Sequence, residues 1–191
     1  LEKSEDRRGF RFQTLVVLIA RQNGKTQWLK GLGLWRLYMD GAKQVLISAQ
    51  NLEFAETTLS EVVTDVKANP LLRREFLRFS QTNGKYKMRL DSGREWRAAV
   101  ASRKGGRSLS VDLALLDELR EHQNWQAWNA IVPTTTARPR SLVVAASNAG
   151  DSTSVVLRSL RDGSIARILS RETGETRTGL FEWSVPDDAD P

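Results

Sequence analysis

Two short stretches of this chain carry residue types that do chemistry. The first is Ala20-Arg21-Gln22-Asn23-Gly24-Lys25-Thr26, and the second is Asp117-Glu118. A lysine and a hydroxyl placed directly behind a glycine suit a polyphosphate. Lys25 would reach the β- and γ-phosphates of a nucleoside triphosphate, and the Thr26 hydroxyl would hold Mg²⁺. Two consecutive carboxylates supply what such a site lacks. Asp117 would accept from the water shell of the Mg²⁺, and Glu118 would orient or deprotonate an attacking water. Alone, each stretch has a plain alternative: a solvated lysine in a turn, and an acidic helix start. Together, in this order, they read as one hydrolytic nucleotide site.

Such a site needs elements to hold it. Leu15 to Ile19 is a short apolar run rich in β-branched residues, the mark of a buried parallel strand. Gln27 to Met39 is amphipathic, with Trp28, Leu29, Leu32, Trp35 and Met39 at helical spacing as the expected core face and Asp40-Gly41 as the stop. Strand, tight loop and helix would point backbone N–H groups and a helix N-terminus at an anion. The usual pattern places a further glycine at position 19, where this chain has Ile19. Leu113 to Leu116 is four apolar residues ahead of Asp117. A strand there delivers both carboxylates to the carboxyl edge of a sheet, where ligands bind in open α/β folds.

The remaining chain alternates in the same way. Gln44 to Ala49 and Ser141 to Ala146 read as strands, the latter ending in Ser147-Asn148. Asn51 is placed to cap a helix that ends at Asn69-Pro70. Leu71 to Leu77 reads as a short helix. Asn83-Gly84 and Asp91-Ser92-Gly93 are turn signals around two antiparallel strands, Lys85 to Leu90 and Glu95 to Ala101, which form a small hairpin. Trp125 to Ile131 reads as a helix and Thr134 to Arg138 as a polar connector. Val155 to Leu160 and Ile165 to Leu169 read as helical, and Gly179 to Val185 as a last strand. The expected fold is α/β, with a mostly parallel sheet between helices.

Composition narrows the chemistry. The 191 residues are 40% hydrophobic and 27% charged, ordinary values for one globular domain. There is no cysteine, which excludes disulfides and thiolate metal sites, and His122 is the single histidine. No apolar run approaches membrane-spanning length, so no membrane partner is expected. The chain starts at Leu1 rather than methionine and reads as a fragment. A net charge of +6 and a pI near 10.0 favour a polyanionic partner.

Four segments carry a family resemblance: Ala20 to Thr26, Gly105-Gly106-Arg107-Ser108-Leu109-Ser110, Leu115-Leu116-Asp117-Glu118, and Ser147-Asn148-Ala149-Gly150. They resemble the large terminase subunits of tailed bacteriophages, the ATP-driven motors that pump DNA into procapsids. The likeness runs from about Phe12 to Trp183, and the phosphate loop without its first glycine is that family's own variant. The resemblance implies a P-loop NTPase of the additional-strand, catalytic-glutamate type, with ATP and Mg²⁺ as cofactors. It implies that Arg21 contacts the nucleotide phosphates, and that Arg107 is a finger reaching a neighbouring subunit. Arg103 is a rival for that role, because Ser108 stands where many relatives have glycine. Ser147-Asn148 matches the family's coupling motif; read from residues alone, it could equally cap the helix at Val155.

The implied partners are double-stranded DNA, the portal protein and the small terminase subunit. The implied assembly is a homo-oligomeric ring, a pentamer, with the isolated domain monomeric. The implied location is the host cytoplasm, docked transiently on the procapsid. Residues 1–185 would be the motor domain, with the adenine-contacting segment upstream of Leu1. Residues 186–191 would begin a linker to a C-terminal nuclease domain, so no nuclease activity is expected here. Two other classes share the residues: a phosphotransferase built on the same loop, and a DNA-binding module with a degenerate nucleotide site.

Overall fold

The computed structural model describes residues 9–49, 51–82, 85–99, 110–170 and 176–184. Its strands are β1 (Thr14–Ile19), β2 (Gln44–Ser48), β3 (Phe76–Thr82), β4 (Lys85–Leu90), β5 (Glu95–Ala98), β6 (Leu113–Leu116), β7 (Leu142–Ser147) and β8 (Thr178–Trp183). Its helices are α1 (Lys25–Tyr38), α2 (Leu52–Ala68), α3 (Pro70–Arg73), α4 (Gln126–Thr135) and α5 (Val155–Leu169), with a 3-10 turn at Leu119–Glu121. The strands form one sheet in the order β3-β4-β5-β2-β6-β7-β1-β8. From β5 to β8 every pairing is parallel, while β3, β4 and β5 are joined antiparallel.

The apolar runs are continuous because both faces of the sheet are covered. Leu15 and Val17 join one core with Leu29, Leu37, Leu59 and Val62 of α1 and α2. Val16 and Leu18 join the other with Leu119, Ile131 and Val156. β7, in the middle, is buried at every residue. Gly33 lets α1 close on the sheet: a Cβ there would lie 2.1 Å from the ring of the fully buried Trp96.

Five local expectations are corrected. The core face of α1 is Leu29, Gly33 and Leu37, whereas Trp28, Trp35 and Met39 are 44%, 41% and 78% exposed. The two tryptophans instead line a groove of about 1040 Å³ with Phe12, Phe181 and Trp183. The helix expected over Leu71 to Leu77 stops at Arg73, and Phe76 to Thr82 extends to pair with β4, so the expected hairpin has three strands. Tertiary pairing outweighs local helix propensity there. Thr134 and Thr135 belong to α4, and their hydroxyls are satisfied within it by donating back to the carbonyls of Ile131 and Val132 at 2.7 and 2.8 Å. Val155 to Leu169 is one helix that passes through Gly163. The last strand is Thr178–Trp183, and residues 185–191, with the linker expectation, lie outside the described residues.

Asn51 caps α2 as expected, its side chain accepting from the Glu53 N–H. Among the described residues, no helix is long and apolar enough to cross a membrane.

Candidate active site

Parallel pairing brings the carboxyl ends of β1, β7 and β6 to the same edge of the sheet. Leu18 is level with Ser147, and Leu116 with Ala145. Three sequence-distant segments therefore meet: the loop 20–24, Asp117-Glu118, and Ser147-Asn148 on the strand between them.

The loop turns by backbone conformation. Gln22 (φ 62°) and Gly24 (φ 76°) both adopt the left-handed region, which glycine accepts freely and glutamine does not. The Asn23 amide donates to the Arg21 carbonyl at 3.1 Å and holds the loop closed on itself. α1 then starts at Lys25 with no side-chain cap and no acidic residue in its first turn. Its positive end is thus left for an anion.

The side chains behind the loop face the carboxylates. Lys25 Nζ lies 2.5 Å from Glu118 Oε1 and 2.9 Å from Asp117 Oδ1. The Thr26 hydroxyl donates to Asp117 Oδ2 at 3.1 Å. Asp117 is fully buried and accepts the Glu118 N–H at 2.9 Å, so each of its two oxygens faces a charge or a donor. Glu118 is partly exposed and sits at φ 54°, a conformation that costs a residue with a Cβ about 1 kcal/mol or more. That turn redirects the chain from β6 into the 3-10 turn and aims the Glu118 carboxylate across the cleft.

The sequence reading missed Arg120. Its guanidinium pairs with Glu118 Oε2 at 3.2 Å, and its N–H donates to the Ser147 hydroxyl at 3.0 Å. The only sequence signal was a cation two residues past the carboxylates, a spacing that means little until a tight turn brings the two together. Asn148 is nearly buried, and its Oδ1 has no partner among the described residues. It does not cap α5, whose N-cap is Ser154, which removes the capping alternative. Arg21 is exposed and borders the same cleft of about 320 Å³ as Glu118, Arg120 and Asn148. Arg107 and its rival Arg103 lie outside the described residues.

The Thr26 hydroxyl and Asp117 carboxylate lie side by side at 3.1 Å, a hard-ligand pair of the kind Mg²⁺ takes together with phosphates and waters. No cluster of three or more His, Asp or Glu side chains forms a separate metal centre among the described residues.

Several solved structures that share this architecture are phage proteins. The large terminase of bacteriophage HK97 superposes with a TM-score of 0.76 at 24% identity, covering 94% of this chain and 37% of that one. The fold is that of a large-terminase ATPase domain. The Thermus phage P74-26 large-terminase ATPase domain matches at TM-score 0.55 and 17% identity, covering 83% of each chain. The large terminase of the thermophilic bacteriophage D6E, solved with ADP, matches at TM-score 0.63 and 6% identity, over 91% of this chain and 40% of that one. The chain thus spans well under half of the HK97 and D6E terminases. No protein-family model and no curated protein matches it.

Proposed function

We propose that the chain is the ATP-hydrolysing motor domain of a phage large terminase, coupling hydrolysis to movement of double-stranded DNA into a procapsid. One observation carries the reading. In a terminase fold, the Lys25-Thr26 pair of a left-handed loop meets Asp117-Glu118 within 3.1 Å, across an intervening strand that ends in Ser147-Asn148. A strand between the loop strand and the carboxylate strand is the arrangement expected of the additional-strand, catalytic-glutamate P-loop NTPases, with β3–β5 as an insertion at the sheet edge.

The chemistry follows from the side chains. Lys25 now neutralises two carboxylates. A bound triphosphate would draw it onto the β- and γ-phosphates by stronger charge-assisted contacts and free Glu118. Glu118 then takes a proton from water as the water oxygen bonds to the γ-phosphorus. The bond from that phosphorus to the bridging oxygen breaks, giving ADP and phosphate. Thr26 and Asp117 would hold Mg²⁺, which offsets phosphate charge when bound. Residues 20–26 cradle the phosphates, with Arg21 against them. Asn148, with its open acceptor, and Ser147, through the Arg120 N–H, report the change to the carboxylate loop.

Arg107, or Arg103 in its place, completes the site of a neighbouring subunit in a ring. Residues 1–185 form the motor domain and 186–191 lead toward a linker. The portal, the small terminase subunit and a pentameric ring are the expected assembly in the host cytoplasm.

The test is phosphate release from ATP with no acceptor present. Release by the wild-type chain that is lost in Glu118→Gln supports the reading. Transfer to an added acceptor without free phosphate would overturn it in favour of a phosphotransferase.

A further inference from the structure

Among the described residues, the antiparallel end of the sheet has an open face that the site does not use. Alternation along β4 sends Tyr86, Met88 and Leu90 toward α2, with Met88 and Leu90 fully buried. Lys87 and Arg89 occupy the opposite positions. Cross-strand register puts Arg78 and Ser80 of β3, and Glu95 and Arg97 of β5, on the same face. The face therefore gathers four cations on three strands around one acid. α4 and α5 pack over β6, β7 and β8 instead.

This arrangement works against stability. Arg78 stands opposite Arg89, and Lys87 opposite Arg97. Like charges directly across a sheet are destabilising. One carboxylate, Glu95, holds the cluster together. It is 7% exposed and bonds Arg97 Nη2 at 2.5 Å and Lys87 Nζ at 3.2 Å, with Arg89 Nε at 3.6 Å. Burial alone would raise the Glu95 pKa, but Arg97 and Lys87 more than offset this and hold it below the ordinary carboxylate value. Glu95 thus fixes three cationic side chains in place without neutralising them, which lowers the entropy lost when they meet a partner.

We infer that the open face of β3, β4 and β5 binds the phosphate backbone of duplex DNA without reading its sequence. The inference rests on the proposed motor function for the identity of the polyanion and on the sheet register for its location. The cations are spread about 10 Å across three strands, which fits the side of a rod better than a small anion. It offers no stacking platform: Phe79 and Tyr86 pack edge to face in the core cluster, and Trp96 is buried on the same side. A single-strand site would need exposed aromatics on the cationic face.

The test is duplex DNA binding by the whole chain, followed by anisotropy across a salt series. Arg78→Gln with Arg89→Gln removes two charges and leaves the Glu95 pairs to Arg97 and Lys87 in place. The slope of log affinity against log salt should become shallower by about 1.8, and affinity near 0.1 M salt should fall at least ~10-fold. Arg78→Lys with Arg89→Lys should restore most of both. Arg73→Gln with Arg74→Gln, an equal charge loss on and beside α3, should change neither. If the α3 pair carries the loss and the sheet pair does not, the location is wrong while the motor reading stands. If wild-type chain fails to bind duplex at low salt, the motor reading itself fails. Equal or tighter binding of single-stranded DNA would overturn the duplex assignment.

Discussion

Charged side chains converge at both ends of the parallel strands, and the two clusters are built differently. At the amino edge of the sheet, Arg36 is 2% exposed. It bonds Asp40 and the carbonyls of Asp112 and Arg140 at 2.9 and 2.7 Å. Arg140 Nη2 in turn reaches Asp40 at 2.5 Å, and both guanidiniums lie over the Phe10 ring. Desolvation lowers the Arg36 pKa while Asp40 opposes the shift. At the carboxyl edge, Lys25 is shared by two carboxylates, Glu118 is held in a left-handed conformation, and Asn148 keeps an open acceptor. The first cluster ties α1 to two loops and leaves no acceptor of Asp40 free, though Arg36 Nε has no partner among the described residues. The second is poised to exchange partners. Charge density alone does not separate a structural network from a reactive one; backbone strain and unused acceptors do.

The sharpest way to break this contrast is Glu118→Gln. Turnover should fall about 10²–10⁴-fold, because an amide cannot take the proton. Glu118 is partly exposed and its ion pairs are worth about 1 kcal/mol or less. The melting temperature should therefore stay within roughly 4 °C. A large thermal loss would place Glu118 in a structural network like that of Arg36.

Arg36→Ala should do the reverse. Removing one partner of a buried ion pair costs about 3–5 kcal/mol, read as a fall in melting temperature on the order of 10 °C. ATP affinity of the folded protein should not change. Arg36→Lys keeps the charge but not the fork that serves Asp40 and two carbonyls, and should fall between. Wild-type stability in Arg36→Ala would leave the amino-edge cluster without its structural role.

Lys25→Ala sharpens the comparison from the other side. On the proposed function it would remove a charge-assisted contact to phosphate worth about 1.5–3 kcal/mol, so ATP affinity in a titration should drop ~10- to 100-fold. Unchanged affinity would take Lys25 out of the nucleotide site.

Much of the carboxyl edge was legible in the sequence, and little of the amino edge was. β1, β6 and the loop between β1 and α1 announce themselves because a strand buried on both faces is apolar throughout, and the polar residues that follow mark where the chain reaches the edge of the sheet. Position along the chain carried that signal. The Arg36 cluster joins residues from α1, β7's approach and the turn before β6, and no local spacing marks it. Trp28 and Trp35 were misread for a related reason. Helical spacing identifies a stripe, but the stripe that packs is chosen by Gly33 against Trp96, a contact between distant segments. β3 was missed because its partner, β4, supplies most of its reason to be extended. Arg120 was missed because only the turn at Glu118 brings it back onto the carboxylate.

The smallest expected effect lies in the loop that supports the carboxylates. His122 is the single histidine, is nearly buried, and neither ring nitrogen has a partner among the described residues. Burial lowers its pKa from 6.5, and the nearby Glu121 only partly opposes this. The sign follows from linkage. Above about pH 6.5 the ring is neutral in both states and contributes nothing. As pH falls below that value, the unfolded chain takes up a proton that the folded chain resists, so stability declines toward the folded pKa. The slope cannot exceed one proton, about 1.4 kcal/mol per pH unit. Denaturant unfolding between pH 7 and 5.5 should show this decline in the wild type and a flatter profile in His122→Phe, whose ring fills the same apolar space without titrating. Amino-edge variants such as Arg36→Lys should keep the wild-type slope, since Arg36 stays charged throughout that range. An unchanged slope in His122→Phe would mean that the decline belongs to other groups, and that the loop beneath Glu118 carries no titrating weak point.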